Sequence, residues 1–150
     1  MFWKKHKSQC AIFSAILFLT GCATSTQYGS FVQPDADQAQ LAADAAQQIA
    51  RIHAPAHTRL VLRQPTPDVF GQTLVKTLRD KGYALVEGAE SAEEGLDLRY
   101  VLDALDGGSY RLMIYTGTCP LARAYTVSGG SFVPAGPWTF RPECGNAARQ

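Results

Sequence analysis

Few residues in this chain are spaced for chemistry, and each set has a plain structural competitor. The histidines are His6, His53 and His57. His53 and His57 stand four apart, the spacing of a ligand pair on one helical face. Pro55 lies between them and prevents a shared regular turn. They are expected to serve a helix end and a loop, with no metal bound. Glu93 and Glu94 fall in a loop of small residues, and Asp97, Asp103 and Asp106 flank an alternating segment. Two carboxylates could work as acid and base on a cell-wall glycan, but these read more simply as solvent-face or turn residues. Ser131 has acids elsewhere in the chain, yet no spacing assembles a triad around it. The chain has no Gly-x-x-x-x-Gly-Lys phosphate loop and no Gly-x-Ser-x-Gly elbow. No catalytic residue, cofactor or small-molecule substrate is expected. Binding is better represented, by Pro134-Ala135-Gly136-Pro137-Trp138. A tryptophan held in a Pro/Gly segment is either a rigid partner contact or a ring packed over the end of a sheet. Arg123 and Tyr125 share one strand face by period two and are expected to form a cation–π or edge contact. Trp138, Tyr125 and Arg123 are the partner-contact candidates.

The cysteines carry more information. Lys4, Lys5 and Lys7 precede an 11-residue, mostly apolar run from Cys10 to Thr20. A membrane-spanning helix needs about 20 such residues, so the run reads as a signal-peptide core. It ends in Leu19-Thr20-Gly21-Cys22, which resembles the bacterial lipobox. That resemblance implies diacylglycerol on the Cys22 sulfur, cleavage before it, and acylation of the new amino group. Several acyl chains give a stable anchor, since each buried methylene contributes about 0.8 kcal/mol. Ala23 rather than Asp follows Cys22, which by resemblance to the enterobacterial sorting rule implies the outer membrane. Cys10 leaves with the signal and Cys22 takes lipid, so Cys119 and Cys144 remain. In an oxidising periplasm two leftover cysteines suggest one disulfide, worth about 3.5 kcal/mol for a loop of this length in the chain-entropy model. Two free thiols are the alternative. A metal site is disfavoured because the pair lacks close Cys-x-x-Cys spacing.

Cleavage also changes the charge. The precursor has 14 basic and 13 acidic residues. Losing three lysines leaves 11 against 13, a formal charge of −2 on a mature chain of 129 residues. Neither balance fits a nucleic-acid binder, which carries a basic excess. Hydrophobic residues at 46% and charged residues at 18% indicate a globular domain.

These residues must be positioned by a small set of elements. Residues 22–34 are small and polar and read as a flexible tether lifting the domain off the membrane. From Asp35 to His53, Leu41, Ala45, Ile49 and Ile52 share one helical face, and Pro55 stops the helix. Thr58–Arg63 reads as a strand. Thr66 can cap a second helix, with Pro67 at its first position and Asp68 favouring its positive end. Phe70, Leu74 and Leu78 line one face of that helix, and Gly82 closes it. Gly71 within it implies close packing against another backbone. Tyr83–Glu87 reads as a further strand, followed by an acidic loop at 88–95. From Leu96 the period becomes two, and a hairpin turns at Asp106-Gly107-Gly108. A three-residue loop there sets Leu105 opposite Ser109, Asp103 opposite Arg111, Leu102 opposite Leu112 and Tyr100 opposite Ile114. Opposite charges then meet on one face and apolar pairs on the other. Leu98, Tyr100, Leu102, Leu112 and Ile114 should face the helices, and Arg99, Asp103, Arg111 and Met113 should face away. Leu121–Ser128 reads as another strand, and Ser131–Phe140 as at most an irregular edge. The expectation is one α+β domain over 35–141, with a mixed or antiparallel sheet of four to five strands and two helices on one face. Residues 142–150 form a tail.

Several of these features occur together in order: the lipobox, Phe70-Gly71-Gln72 leading to Lys81-Gly82-Tyr83, Leu98-Arg99-Tyr100, Leu121-Ala122-Arg123-Ala124-Tyr125, and the Pro-Ala-Gly-Pro-Trp segment. The set resembles the TrbH family of conjugal-transfer lipoproteins over about residues 11–141. The resemblance implies an outer-membrane lipoprotein that helps build or brace the type IV secretion channel for plasmid transfer; the domain is expected to face the periplasm, with the cell exterior as the alternative. Its partners would be the membrane and other envelope proteins of that channel, and no catalytic residues carry over. Other readings are a mating-exclusion or ligand-binding lipoprotein, and a cell-wall enzyme.

Overall fold

The structure is a computed structural model that describes residues 27–33, 37–88 and 93–140. In chain order its elements are β1 (Gly29–Ser30), α1 (Ala39–Ile52), a 3-10 turn (Pro55–His57), β2 (Arg59–Leu62), α2 (Val69–Asp80), β3 (Ala84–Glu87), β4 (Leu96–Leu105), β5 (Ser109–Thr116), β6 (Cys119–Ser128), β7 (Ser131–Pro134) and β8 (Thr139–Phe140). The sheet runs β3-β2-β4-β5-β6-β7, with β1 beside β4 and β8 beside β6. β2 is parallel to both β3 and β4, and the rest of the main path is antiparallel. Parallel neighbours need a crossover, which α2 supplies between β2 and β3.

The hairpin has the register that its charges and apolar residues require. Leu105 pairs with Ser109, Asp103 with Arg111, Leu102 with Leu112 and Tyr100 with Ile114. Gly107 and Gly108 take φ of 74° and 73°, the left-handed conformation that closes so short a loop. Leu98, Tyr100, Leu102, Leu112 and Ile114 are fully buried. They join Leu41, Ala45 and Ile49 of α1 and Phe70, Leu74 and Leu78 of α2 in one core cluster. Each large apolar side chain removed from water contributes about 1.5–3 kcal/mol. Arg99, Asp103, Arg111 and Met113 lie on the other face and are half-buried.

Both helix ends of α2 are specified by local chemistry. The N-cap is Asp68, not Thr66, so Pro67 stands before the helix rather than in it. Asp68 prevails because one carboxylate oxygen accepts from Gly71 N at 2.8 Å while the other accepts the Tyr100 hydroxyl at 2.6 Å. At the far end Gly82 takes φ of 91°. Its amide donates to the Arg79 carbonyl and the Tyr83 amide to the Leu78 carbonyl, the paired bonds of a left-handed helix stop. Gly71 does mark a close approach, but to a side chain rather than a backbone: a Cβ there would lie 2.0 Å from the Tyr100 hydroxyl oxygen.

Eight strands replace the four to five expected, because the edges recruit segments without periodic signals. Residues 29–30, read as tether, pair in parallel with Val101 and Leu102, and the Phe31 amide donates to the Leu102 carbonyl. The ordered domain therefore begins before residue 35. The Pro-containing stretch supplies β7 and β8 along β6, since only one side of each must hydrogen-bond. α1 ends at Ile52 as its pattern requires. Its start is Ala39 rather than Asp35, because Asp37 is held in a bridge to Ser131 and its carboxylate accepts the Ala39 amide at 2.8 Å; Pro34 and Asp35 lie outside the described residues.

Candidate functional site

The sheet face that carries the helices also holds a polar cluster joining three parts of the chain. Asp44 stands on α1 at the fringe of the apolar stripe, three residues after Leu41. Arg123 and Tyr125 project toward it from β6. Arg123 Nη1 donates to both Asp44 oxygens at 3.0 and 2.8 Å, and the Tyr125 hydroxyl donates to Asp44 Oδ2 at 2.5 Å. Arg123 Nε donates to the Gly136 carbonyl at 2.7 Å, which pins the Pro/Gly segment to the sheet. The Arg123 guanidinium also lies 5.8 Å from the centre of the Tyr125 ring, the cation–π contact expected from their shared strand face. The Asp44 and Arg123 side chains are only about a fifth exposed, so their attraction is less screened than that of a surface pair. Burial first, then the bond to Asp44, pushes the Tyr125 hydroxyl far above its usual range. Tyr125 is 1% exposed. It is an internal residue, not the partner contact expected for it, because its ring fills the core and its hydroxyl is engaged on α1.

An open groove of about 520 Å³ borders this cluster, between Gln40, Asp44 and Gln47 of α1, Thr77 and Lys81 near the end of α2, and Pro134. It presents one cation and one already paired carboxylate. Trp138 packs against the core beside the cluster and stays partly exposed. Its indole nitrogen is buried without a hydrogen-bond partner among the described residues. Trp138 is therefore both a packed ring and a partly open surface.

His53 caps α1, and its backbone carbonyl accepts the Tyr83 hydroxyl. Burial lowers the His53 pKa and raises that of Tyr83 to about 12. His57 is exposed in the 3-10 turn. No group of three or more His, Cys, Asp or Glu among the described residues could hold a metal ion. Asp97 and Asp103 are not idle solvent-face acids. Asp97 pairs with Arg63 at 2.7 Å and Asp103 with Arg111 at 2.5 Å. Cys119 opens β6 and has a bonding partner. Cys22 and Cys144 lie outside the described residues.

Sequence reasoning missed Asp44, and it placed Asp68 at the positive end of α2 without its cap or its bond to Tyr100. Each was detectable only as an acid beside an apolar stripe, and its partner lies 79 or 32 residues away. Gln64 was missed too: its buried side-chain oxygen accepts the Tyr100 amide at 2.8 Å.

Fold and clusters define an α+β module with one helix-covered face, one face that carries no helix among the described residues, and a tryptophan-bearing edge. Residues 25–142 match the family model of conjugal transfer protein TrbH, and the chain belongs to that family. A role in conjugation follows at that level. No curated protein and no solved structure matches the chain.

Proposed function

We propose that this chain is an outer-membrane lipoprotein, anchored through Cys22, that serves as a structural, non-enzymatic part of a conjugative type IV secretion apparatus. The observation that carries the reading is the TrbH match across most of the chain. The lysine-rich start, short apolar run and Leu-Thr-Gly-Cys box supply the anchor, and Ala23 after Cys22 directs it to the outer membrane. The charged groups beside Trp138 support a structural role, since Asp44 and Arg123 are spent on each other. A Cys119–Cys144 disulfide closes the C-terminal strands in the oxidising periplasm.

Trp138 is the anchor residue for a protein partner. Its ring is held by the core while part of its surface remains exposed. Trp138→Ala weakens assembly by about 2 kcal/mol if the ring is such an anchor. The reading is tested by labelled palmitate, which should enter the wild type and not Cys22→Ser, with the labelled chain fractionating with the outer membrane. Label retained by Cys22→Ser would refute the anchor.

A further inference from the structure

The path of the chain into the domain restricts which surface can face a membrane. Tyr28 is fixed just before β1. Its ring meets Tyr115 edge-on at 5.7 Å and lies 5.5 Å from the Arg99 guanidinium. Arg99 and Tyr115 are register partners on β4 and β5. They stand on the face opposite buried Leu98 and Tyr100, so the chain arrives on the helix-free side of the sheet.

Six residues lead from Cys22 to Tyr28, and fully extended they span about 21 Å. A sheet with its side chains is about 10 Å thick, and a helix layer adds about 10 Å more. A straight line through the domain would consume the whole leash. The real path would also have to pass the β2–α2 connection, whose Pro65 and Pro67 line a cavity together with Tyr28, β1 and Phe31. The helix layer therefore cannot be turned toward a bilayer that holds Cys22.

We infer that the helix-free sheet face lies on the lipid surface that holds the acyl anchor, so that the domain rests on the membrane rather than standing off it. This rests on lipidation at Cys22. The chemistry of the face suits an interface. Tyr28, Val101, Met113 and Tyr115 form its half-buried centre, and Phe31 beside β1 is 57% exposed. Tyrosines favour the headgroup level. Arg99 and Arg111 can lay their stems on the apolar centre and keep their heads among phosphates. Arg63, Arg99 and Arg111 stand against Asp97 and Asp103 on this side, an excess of one cation that favours anionic lipid.

The test uses the full lipidated chain in vesicles of phosphatidylethanolamine and phosphatidylglycerol with spin-labelled headgroups. Trp138 packs on the helix-side core, so the wild type supplies the reference emission. Met113→Trp puts a reporter at the centre of the face, and Tyr115→Trp is a second reporter that keeps an aromatic ring in place. Headgroup labels should extinguish the added emission of both variants and leave that of Trp138. Survival of the added emission on chains that still carry palmitate overturns the inference and leaves the anchor standing. If that surviving emission shifts with protein density in the vesicle, a second copy covers the face instead. Chains that take up no palmitate overturn both.

Discussion

Asp44 on α1 and Tyr125 on β6 are joined by a 2.5 Å hydrogen bond across 81 residues of sequence. The same carboxylate holds Arg123. One acid thus fixes the first helix to the far side of the sheet, and through Arg123 it also fixes the segment that leads to Trp138. The segment that carries Trp138 and the core are mechanically linked at this point.

Removing the acid should cost more than removing the hydroxyl. Asp44→Ala strands the Arg123 cation and the Tyr125 hydroxyl, an expected loss of about 2–3 kcal/mol after allowing for partial exposure. Tyr125→Phe leaves Asp44 paired with Arg123 and should cost about 1 kcal/mol. The double variant should fall short of the sum by more than about 0.5 kcal/mol. Urea unfolding measures all three. Strict additivity would mean that the two groups do not share a bond.

Stability should also report the buried tyrosines. Burial and acceptor bonds raise the Tyr125 and Tyr100 hydroxyls well above the ordinary 10.0, and burial raises Tyr83 to about 12. The folded state therefore holds these protons more tightly than the unfolded chain. Their contribution is complete below the unfolded value and is lost as pH rises through the folded values. The urea midpoint should fall above about pH 10, and Tyr125→Phe should make the fall shallower. His53 works in the opposite direction. Burial lowers its pKa from 6.5, so its contribution is present above that value and is lost as pH falls. A midpoint unchanged in alkali would contradict the burial of the tyrosine hydroxyls.

Gly71→Ala has an inverted sign. In an ordinary helix interior the change gains about 1 kcal/mol. Here the new Cβ would lie 2.0 Å from the Tyr100 hydroxyl oxygen and 2.9 Å from Thr66 Cγ2. Overpacking of this kind costs about 1–3 kcal/mol. Adding Tyr100→Phe removes the closest atom and should return part of the loss. A higher Tm for Gly71→Ala would disprove the close approach.

The hairpin was legible because two independent signals agree on one register. Asp103 meets Arg111 on one face and Leu102 meets Leu112 on the other, and a slip by one residue loses both. α2 was legible from its stripe and Gly82, but its cap was misplaced by two residues: Thr66 and Asp68 are both good caps, and the choice fell to distant Tyr100. β1 and β8 were not legible, since two-residue strands have no period and exist only through pairing with β4 and β6. In the site, the Arg123–Tyr125 contact followed from alternation along β6. The burial of Tyr125 did not, because it depends on Asp44 reaching across from a helix.

The proposed role as a structural part of the transfer apparatus puts the chain to work in the donor cell. Transfer frequency tests it most directly. Donors lacking the chain should lose transfer and regain it with the wild type but not with Cys22→Ser, whereas recipients lacking it should accept plasmid at the normal frequency. Undiminished transfer from donors without the chain would contradict the account.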